Sequence, residues 1–273
     1  MQRSQKQAWC TIKGGRVQSD YLSVTELPGD EVTVEQVDRI CQRYYWAGTY
    51  CLGKEVLEAG CGTGQGAGYL AGLARRYRAG DYSEKILRIA RAHYGERVMF
   101  QQFDAQQMPF EKDSFDVVIL FEALYYLPSA ERFIAECRRV LRPGGKVLIA
   151  TANKDLYDFN PSPNSFSYYG VPELNDLFRR YGFASSFFGN TPVDGLSLRQ
   201  RMLRPVKKFV ANSGLMPRTM AGKKILKRLV FGSLVPMPAE IVVGMVRDVA
   251  PVPIPADGPD RKHKVIFCVA KIL

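Results

Sequence analysis

Four glycines fall within seven residues at Gly60-Cys61-Gly62-Thr63-Gly64-Gln65-Gly66, directly after the short apolar run Lys54–Ala59. So many flexible positions weaken the interior of any helix or strand. The run reads as a strand that stops in a tight turn, and the small-residue stretch to about Arg75 reads as the helix leaving it. The same alternation continues along the chain. Tyr77–Asp81 is a strand, Ser83 can cap a helix over Glu84–His93, and Val98–Asp104 is a third strand. Phe115–Phe121 is continuously apolar, as a strand buried on both faces requires. Ser129 caps a helix with the stripe Ala130, Phe133, Ile134, Cys137, Val140 and Leu141, and Arg142-Pro143-Gly144-Gly145 stops it. Lys146–Ala152, Phe183–Gly189 and Lys264–Ile272 supply three more strands, and a helix opening at Pro172 and ending at Gly182 separates the first two. Ahead of the turn, Val34, Val37, Ile40, Cys41 and Tyr44 recur at helical spacing, which predicts a helix over roughly 33–48.

Strands alternating with helices at this spacing form βαβ units. The predicted fold is α/β, a doubly wound, mostly parallel sheet with helices on both faces. Ligands of such sheets bind beyond the carboxyl ends of the strands. Glu58 to Gly66, Asp81, Asp104 and Phe121 to Tyr126 fall there. With 273 residues, 46% hydrophobic and 24% charged, the chain can bury its own core and is neither disordered nor fibrous. Six scattered cysteines without a CxxC pair, and only two histidines, His93 and His263, argue for reduced buried thiols and against a zinc site. No membrane span or apolar signal core is visible, so a cytoplasmic location is expected.

The glycine loop alone leaves two cofactors open. Read from Gly62 it gives Gly62, Gly64 and Ala67, an allowed NAD fingerprint, with Asp81 placed as a ribose acid. Two acids favour S-adenosylmethionine instead. Glu58, at the strand end before Gly60, suits an ammonium or sulfonium better than a pyrophosphate. Asp104 follows Asp81 by the same interval at which Asp81 follows Glu58, so successive strands each present one acid to an elongated ligand with several donors.

Val56-Leu57-Glu58-Ala59-Gly60-Cys61-Gly62-Thr63-Gly64 resembles the first motif of class I S-adenosylmethionine-dependent methyltransferases. Gly80-Asp81-Tyr82-Ser83 resembles their ribose motif, and Phe103-Asp104-Ala105 with Met108-Pro109-Phe110 their adenine motif. Phe115-Asp116-Val117-Val118 and Arg138 to Gly145 resemble the motifs of the fourth and fifth strands. The nearest group is the small-molecule branch that includes quinone-biosynthesis and type 11 methyltransferases. The resemblance covers about Val34 to Ala152 and implies a seven-stranded Rossmann-like sheet with an antiparallel last strand. It implies that Glu58 faces the methionine amine or the loop, and that Gly60, Cys61, Gly62 and Gly64 let the backbone approach the cofactor. Asp81 would accept the ribose hydroxyls, with Tyr82 against the adenine. Asp104, beside Ala105, would accept the adenine amino group. Phe121 would close the pocket at the methyl donor, and the segment Arg43 to Ala47, Tyr44 included, would cover the cofactor.

Methyl transfer leans on alignment, and a base is needed only where the nucleophile must lose a proton. Many members of the branch carry a histidine after the fourth strand. Here Phe121-Glu122-Ala123-Leu124-Tyr125-Tyr126-Leu127 has tyrosine in its place. The candidate catalytic residues are Glu122, Tyr126 and members of the aromatic loop after the fifth strand: Tyr157 first, then Asp158, Asn160, Tyr168 and Tyr169.

The charge is localised. Of 38 Lys and Arg, ten lie between Gly195 and Ala239, a stretch without Asp or Glu, and the remaining 28 nearly balance the 27 acids. In Met220–Phe231, Lys223, Lys224, Lys227 and Arg228 share one arc of a helical wheel, opposite Ile225, Leu226, Leu229 and Val230. The expected organisation is an N-terminal arm over 1–32, a cofactor-binding core over 33–194, a basic helical insertion over 195–260 serving as cap or lid, and a final core strand over 261–273. The expected function is methyl transfer from S-adenosylmethionine to an O or N nucleophile of an anionic or lipophilic small molecule. The alternatives are an NAD-linked oxidoreductase, or a methyltransferase that reaches a lipid, a membrane surface or nucleic acid through the insertion.

Overall fold

The computed structural model describes residues 21–193 and 234–273. Its centre is an eight-stranded sheet in the order β4-β3-β2-β5-β6-β10-β7-β9. These strands are β2 (Glu55–Ala59), β3 (Arg76–Asp81), β4 (Phe100–Gln102), β5 (Phe115–Phe121), β6 (Leu141–Ala152), β7 (Phe183–Pro192), β9 (Val252–Ile254) and β10 (His263–Ile272). β4, β3, β2, β5 and β6 pair in parallel. β10 inserts antiparallel between β6 and β7, as the resemblance implies. The eighth strand, β9, was not expected. It pairs antiparallel with β7 at the sheet edge, where Pro251, Pro253 and Pro255 cost few ladder bonds.

Alternate residues of the central strands feed two separate cores. Val56, Val117, Ile119 and Phe267 pack with helices α1 (Val34–Cys51), α2 (Ala67–Leu73) and α3 (Glu84–Tyr94). Leu57, Val118, Ile149 and Ile266 pack with α4 (Ala130–Val140) and α5 (Val171–Arg180) on the other face. The caps at Ser83 and Ser129 are those the sequence suggests, and the structure adds one at Thr33. Thr33 and Gln36 form a reciprocal capping box on α1, and the hydroxyls of Ser83 and Ser129 accept from the Ile86 and Arg132 amides.

Two organisational expectations change. The basic helix Met220–Phe231 and its arc of Lys223, Lys224, Lys227 and Arg228 lie outside the described residues. The described part of the supposed helical insertion, 234–260, is extended instead: β8 (Leu234–Pro236), a strap over 242–249, and β9. Pro236, Pro238, Pro251, Pro253 and Pro255 remove amide donors too often for a helix to persist there. Nor are residues 21–32 a separate arm. β1 (Glu31–Thr33) pairs antiparallel with β8, and Gly29 and Asp30 exchange backbone hydrogen bonds with Met237. Among the described residues no helix is long and apolar enough to cross a membrane, and no cluster of His, Cys, Asp or Glu could hold a metal ion.

Candidate cofactor and acceptor cleft

The chain order reverses between β2 and β5, which leaves a crevice at their carboxyl ends. A cavity of 1970 Å³ opens there. That exceeds the roughly 300–1,000 Å³ of a single small-molecule site, so it has room for two ligands side by side.

The glycine loop forms one wall. Gly60, Gly62 and Gly64 take φ of 69°, 58° and 82°, the left-handed region that a side chain disfavours. Gly60, Cys61 and Gly62 line the cavity, but Gly64 does not. A Cβ on Gly64 would meet Tyr94 and Phe100, and Tyr94 donates its hydroxyl to the Gly64 carbonyl. Gly64 therefore serves the packing of α3 against the loop, a correction to its expected place beside the cofactor.

Asp81 ends β3 and holds the loop in shape. Its Oδ2 accepts the Gly62 amide at 3.0 Å and its Oδ1 the Ser83 amide at 2.9 Å. Burial raises its pKa above the usual carboxylate value against the pull of these amides. Tyr82, Asp104, Ala105 and Phe121 line the cavity. Asp104 lies two residues beyond β4, which is shorter than the expected Val98–Asp104, and its Oδ1 accepts the Gln106 amide.

Glu58 is placed differently from its expected role. It is 1% exposed and stands outside the cavity wall. The Tyr44 hydroxyl donates to Oε1 at 2.6 Å and the Tyr77 hydroxyl donates to Oε2. Burial, opposed by these two donors, pushes its carboxyl up to about 7. Tyr44 lines the cavity and lies against Gly66, so Glu58 meets the cavity only through this tyrosine. The strand explains it: all five residues of β2 are buried, and the neighbouring strand supplies Tyr77.

Beyond Phe121 the wall continues with Glu122, Tyr126, Asn160 to Pro163, Phe166 and Tyr168. Glu122 has φ 50°, strained for a residue with a side chain, and accepts the Tyr125 hydroxyl at 3.0 Å. The Tyr126 hydroxyl pairs with Ser162 Oγ, and burial raises its pKa. Tyr157 is 71% exposed and lines no part of the cavity, which removes it from the site. The loop turns it outward and presents Asn160, Ser162 and Tyr168 in its stead. Neither histidine lines the cavity: His93 pairs with Glu240, and buried His263 with Asp260.

Several lining residues escaped the sequence reading. Tyr21 packs against both Tyr82 and Tyr126. The Gln65 side chain donates to the Glu26 carbonyl and its backbone carbonyl accepts from the Ile241 amide, tying residues 21–30 and the segment after β8 to the loop. Gln36 and Arg39 line the cavity from α1, beside Arg43 of the segment expected to cover the cofactor. Their three- and four-residue spacing was the available signal, a polar stripe beside the apolar one.

Residues 57–149, about a third of the chain, match the family described as a methyltransferase domain. The chain is 37% identical over 137 residues to a probable S-adenosylmethionine-dependent methyltransferase of Mycolicibacterium smegmatis, covering 49% of this chain and 53% of that protein. It is 29% identical over 232 residues to an O-methyltransferase of Penicillium expansum, covering 78% and 79%. It spans about half or less of the length of the first curated relatives it matches. A methyltransferase structure from Thermotoga maritima, 14% identical, superposes with a TM-score of 0.55 over 87% of this chain and 92% of its own, a likeness of fold. The NAD alternative finds no support in these matches. Over residues 57–149 the chain matches a methyltransferase domain, and its strand order and acid-lined glycine cleft resemble those of class I S-adenosylmethionine-dependent methyltransferases.

Proposed function

We propose that the protein transfers a methyl group from S-adenosylmethionine to an oxygen or nitrogen of a lipophilic small molecule. The observation that carries this reading is the single cleft that runs from the glycine loop, past Asp81 and Asp104, to the aromatic wall beyond Phe121. Asp81 keeps lone pairs free for ribose hydroxyls after serving Gly62 and Ser83, and Asp104 faces the same cavity for the adenine amino group. Tyr21 and Tyr82 would flank the adenine, and Arg43, next to Tyr44, would receive the methionine carboxylate. When bound there, the cofactor supplies a methyl group already activated on a sulfonium. The chain's own work is then alignment and exclusion of water by Phe121, Tyr126 and Phe166. Glu122 and Tyr126, in the wall beyond Phe121, would touch the acceptor. Tyr126, with its raised pKa, acts as a hydrogen-bond donor and not as a base at neutral pH. The acceptor as a lipid or nucleic acid, reached through the basic segment, is the second reading, and that segment lies outside the described residues.

Calorimetry tests the cofactor. S-adenosylmethionine or its demethylated product should bind, and NAD should not. Asp81→Asn, which keeps the shape but loses the charged acceptor, should weaken binding by roughly 2 kcal/mol. Tight NAD binding without a response to S-adenosylmethionine would reverse the assignment.

A further inference from the structure

Four carboxylates line the cavity, and the protein supplies each with donors. Glu26 accepts Gln36 Nε2 at 2.7 Å, Asp81 the Gly62 and Ser83 amides, Asp104 the Gln106 amide, and Glu122 the Tyr125 hydroxyl. The cations are treated in the opposite way. Arg39 and Arg43 stand one turn apart on α1 and both line the cavity. The Nε of each is buried without an acceptor, and among the described residues neither guanidinium has a hydrogen-bond or ion-pair partner. A third cavity arginine, Arg132, is exposed at the rim.

Two unpaired like charges at i and i+4 repel each other, and a donor withdrawn from water loses its hydration. Both costs vanish when anions arrive. The methionine end of the cofactor brings one carboxylate, and one arginine satisfies it. Arg43 is the nearer to the loop, because the adjoining Tyr44 lies on Gly66. Arg39 is left over. It sits one turn towards the start of α1, beside Gln36 and Ile40 in the cavity wall. Lys264 clamps that end of the helix through Glu35 at 2.7 Å, which brings Val265 and Ala152 to the same cavity. Ile40, Val265 and Ala152 share that cavity wall with Gln36, and among the described residues no carboxylate pairs with Arg39.

We infer that Arg39 is a specificity-determining residue that receives an acid group of the acceptor, making the substrate a lipophilic carboxylic acid. A guanidinium presents two parallel N–H donors that match a carboxylate, while Ile40, Ala152 and Val265 take the apolar body. The inference rests on the methyltransferase reading and extends it to the class of acceptor.

The test is calorimetric titration of octanoate, and of uncharged octanamide, into protein saturated with S-adenosylhomocysteine. Octanoate should bind at least tenfold more tightly than octanamide. Arg39→Gln should abolish that preference while S-adenosylhomocysteine affinity stays within twofold, and Arg39→Lys should restore part of it. Arg43→Gln should instead weaken S-adenosylhomocysteine at least tenfold. Equal affinity of the wild type for the two probes overturns the inference and leaves the methyltransferase reading intact. So does an Arg39→Gln variant that loses S-adenosylhomocysteine as strongly as Arg43→Gln, since Arg39 would then belong to the cofactor. A wild type that binds no S-adenosylhomocysteine overturns both.

Discussion

Glu58 takes its proton from its surroundings more than from its own chemistry. Buried between Tyr44 and Tyr77, it titrates at about 7 in the folded protein, well above its usual 4.5. A carboxyl with a raised folded pKa contributes stability that is complete below the unfolded value and is lost as pH rises through the folded one. The window is therefore about pH 4.5 to 7, and the integrated effect is of the order of 3 kcal/mol. Thermal unfolding of the wild type and Glu58→Gln should diverge across that window, with the wild type losing the more stability. Parallel melting curves would show that Glu58 stays ionised throughout. At the acceptor end, Tyr126→Phe and Glu122→Gln should each lower turnover by about ten- to a hundredfold with cofactor affinity nearly unchanged, because both lie beyond Phe121. An equal loss in turnover and cofactor binding would move them into the cofactor site.

Among the elements, α1 serves three partners at once. Its apolar stripe enters the core, its polar stripe walls the cleft, and Gln42 and Tyr45 hold the strap over 242–249. Gln42 accepts the Val249 amide at 2.9 Å and donates to the Arg247 carbonyl, as a neighbouring strand would. The Tyr45 hydroxyl donates to the Val242 carbonyl and accepts the Met245 amide. Beyond these bonds Val246 packs against the core, while Val242, Val243 and Val249 turn their side chains to solvent. Gln42→Ala leaves a backbone donor and acceptor unpaired, a loss of about 1–3 kcal/mol confined to the strap. Hydrogen exchange should speed up at Val249 and spare the α1 amides. Exchange spreading through α1 would mean that the strap supports the helix, and not the reverse.

At the scale of the whole molecule, the last strand closes the sheet. β10 is paired along nearly its full length with β6 on one side and β7 on the other. Seven of its ten residues, from Val265 to Ile272, join the two cores, three on one face and four on the other. A chain ending at Asp260 would leave two long apolar strand edges open, so it should collect in the insoluble fraction on expression. Recovery of a soluble truncation with cooperative unfolding would show that β7 can rejoin β6 directly.

Local periodicity and turn chemistry were enough to specify the βαβ order, the capped helices, the glycine loop and the acids at the ends of β3 and β4, because these depend on residues a few positions apart. The antiparallel last strand came from the family resemblance. Long-range pairing decided the rest. Glu58 reads as a ligand group on its own strand, but Tyr77 of the neighbouring strand and Tyr44 of α1 claim both its oxygens. Gly64 reads as part of the cofactor loop, but α3 brings Tyr94 against it. Tyr157 and Ser162 share one loop, and only its path decides that Tyr157 meets solvent and Ser162 meets Tyr126. Residues 21–30 and 234–241 show no strong period of their own. They become cleft wall and sheet because each satisfies the backbone of the other across some two hundred residues, and such a partner leaves no mark in a local window of sequence.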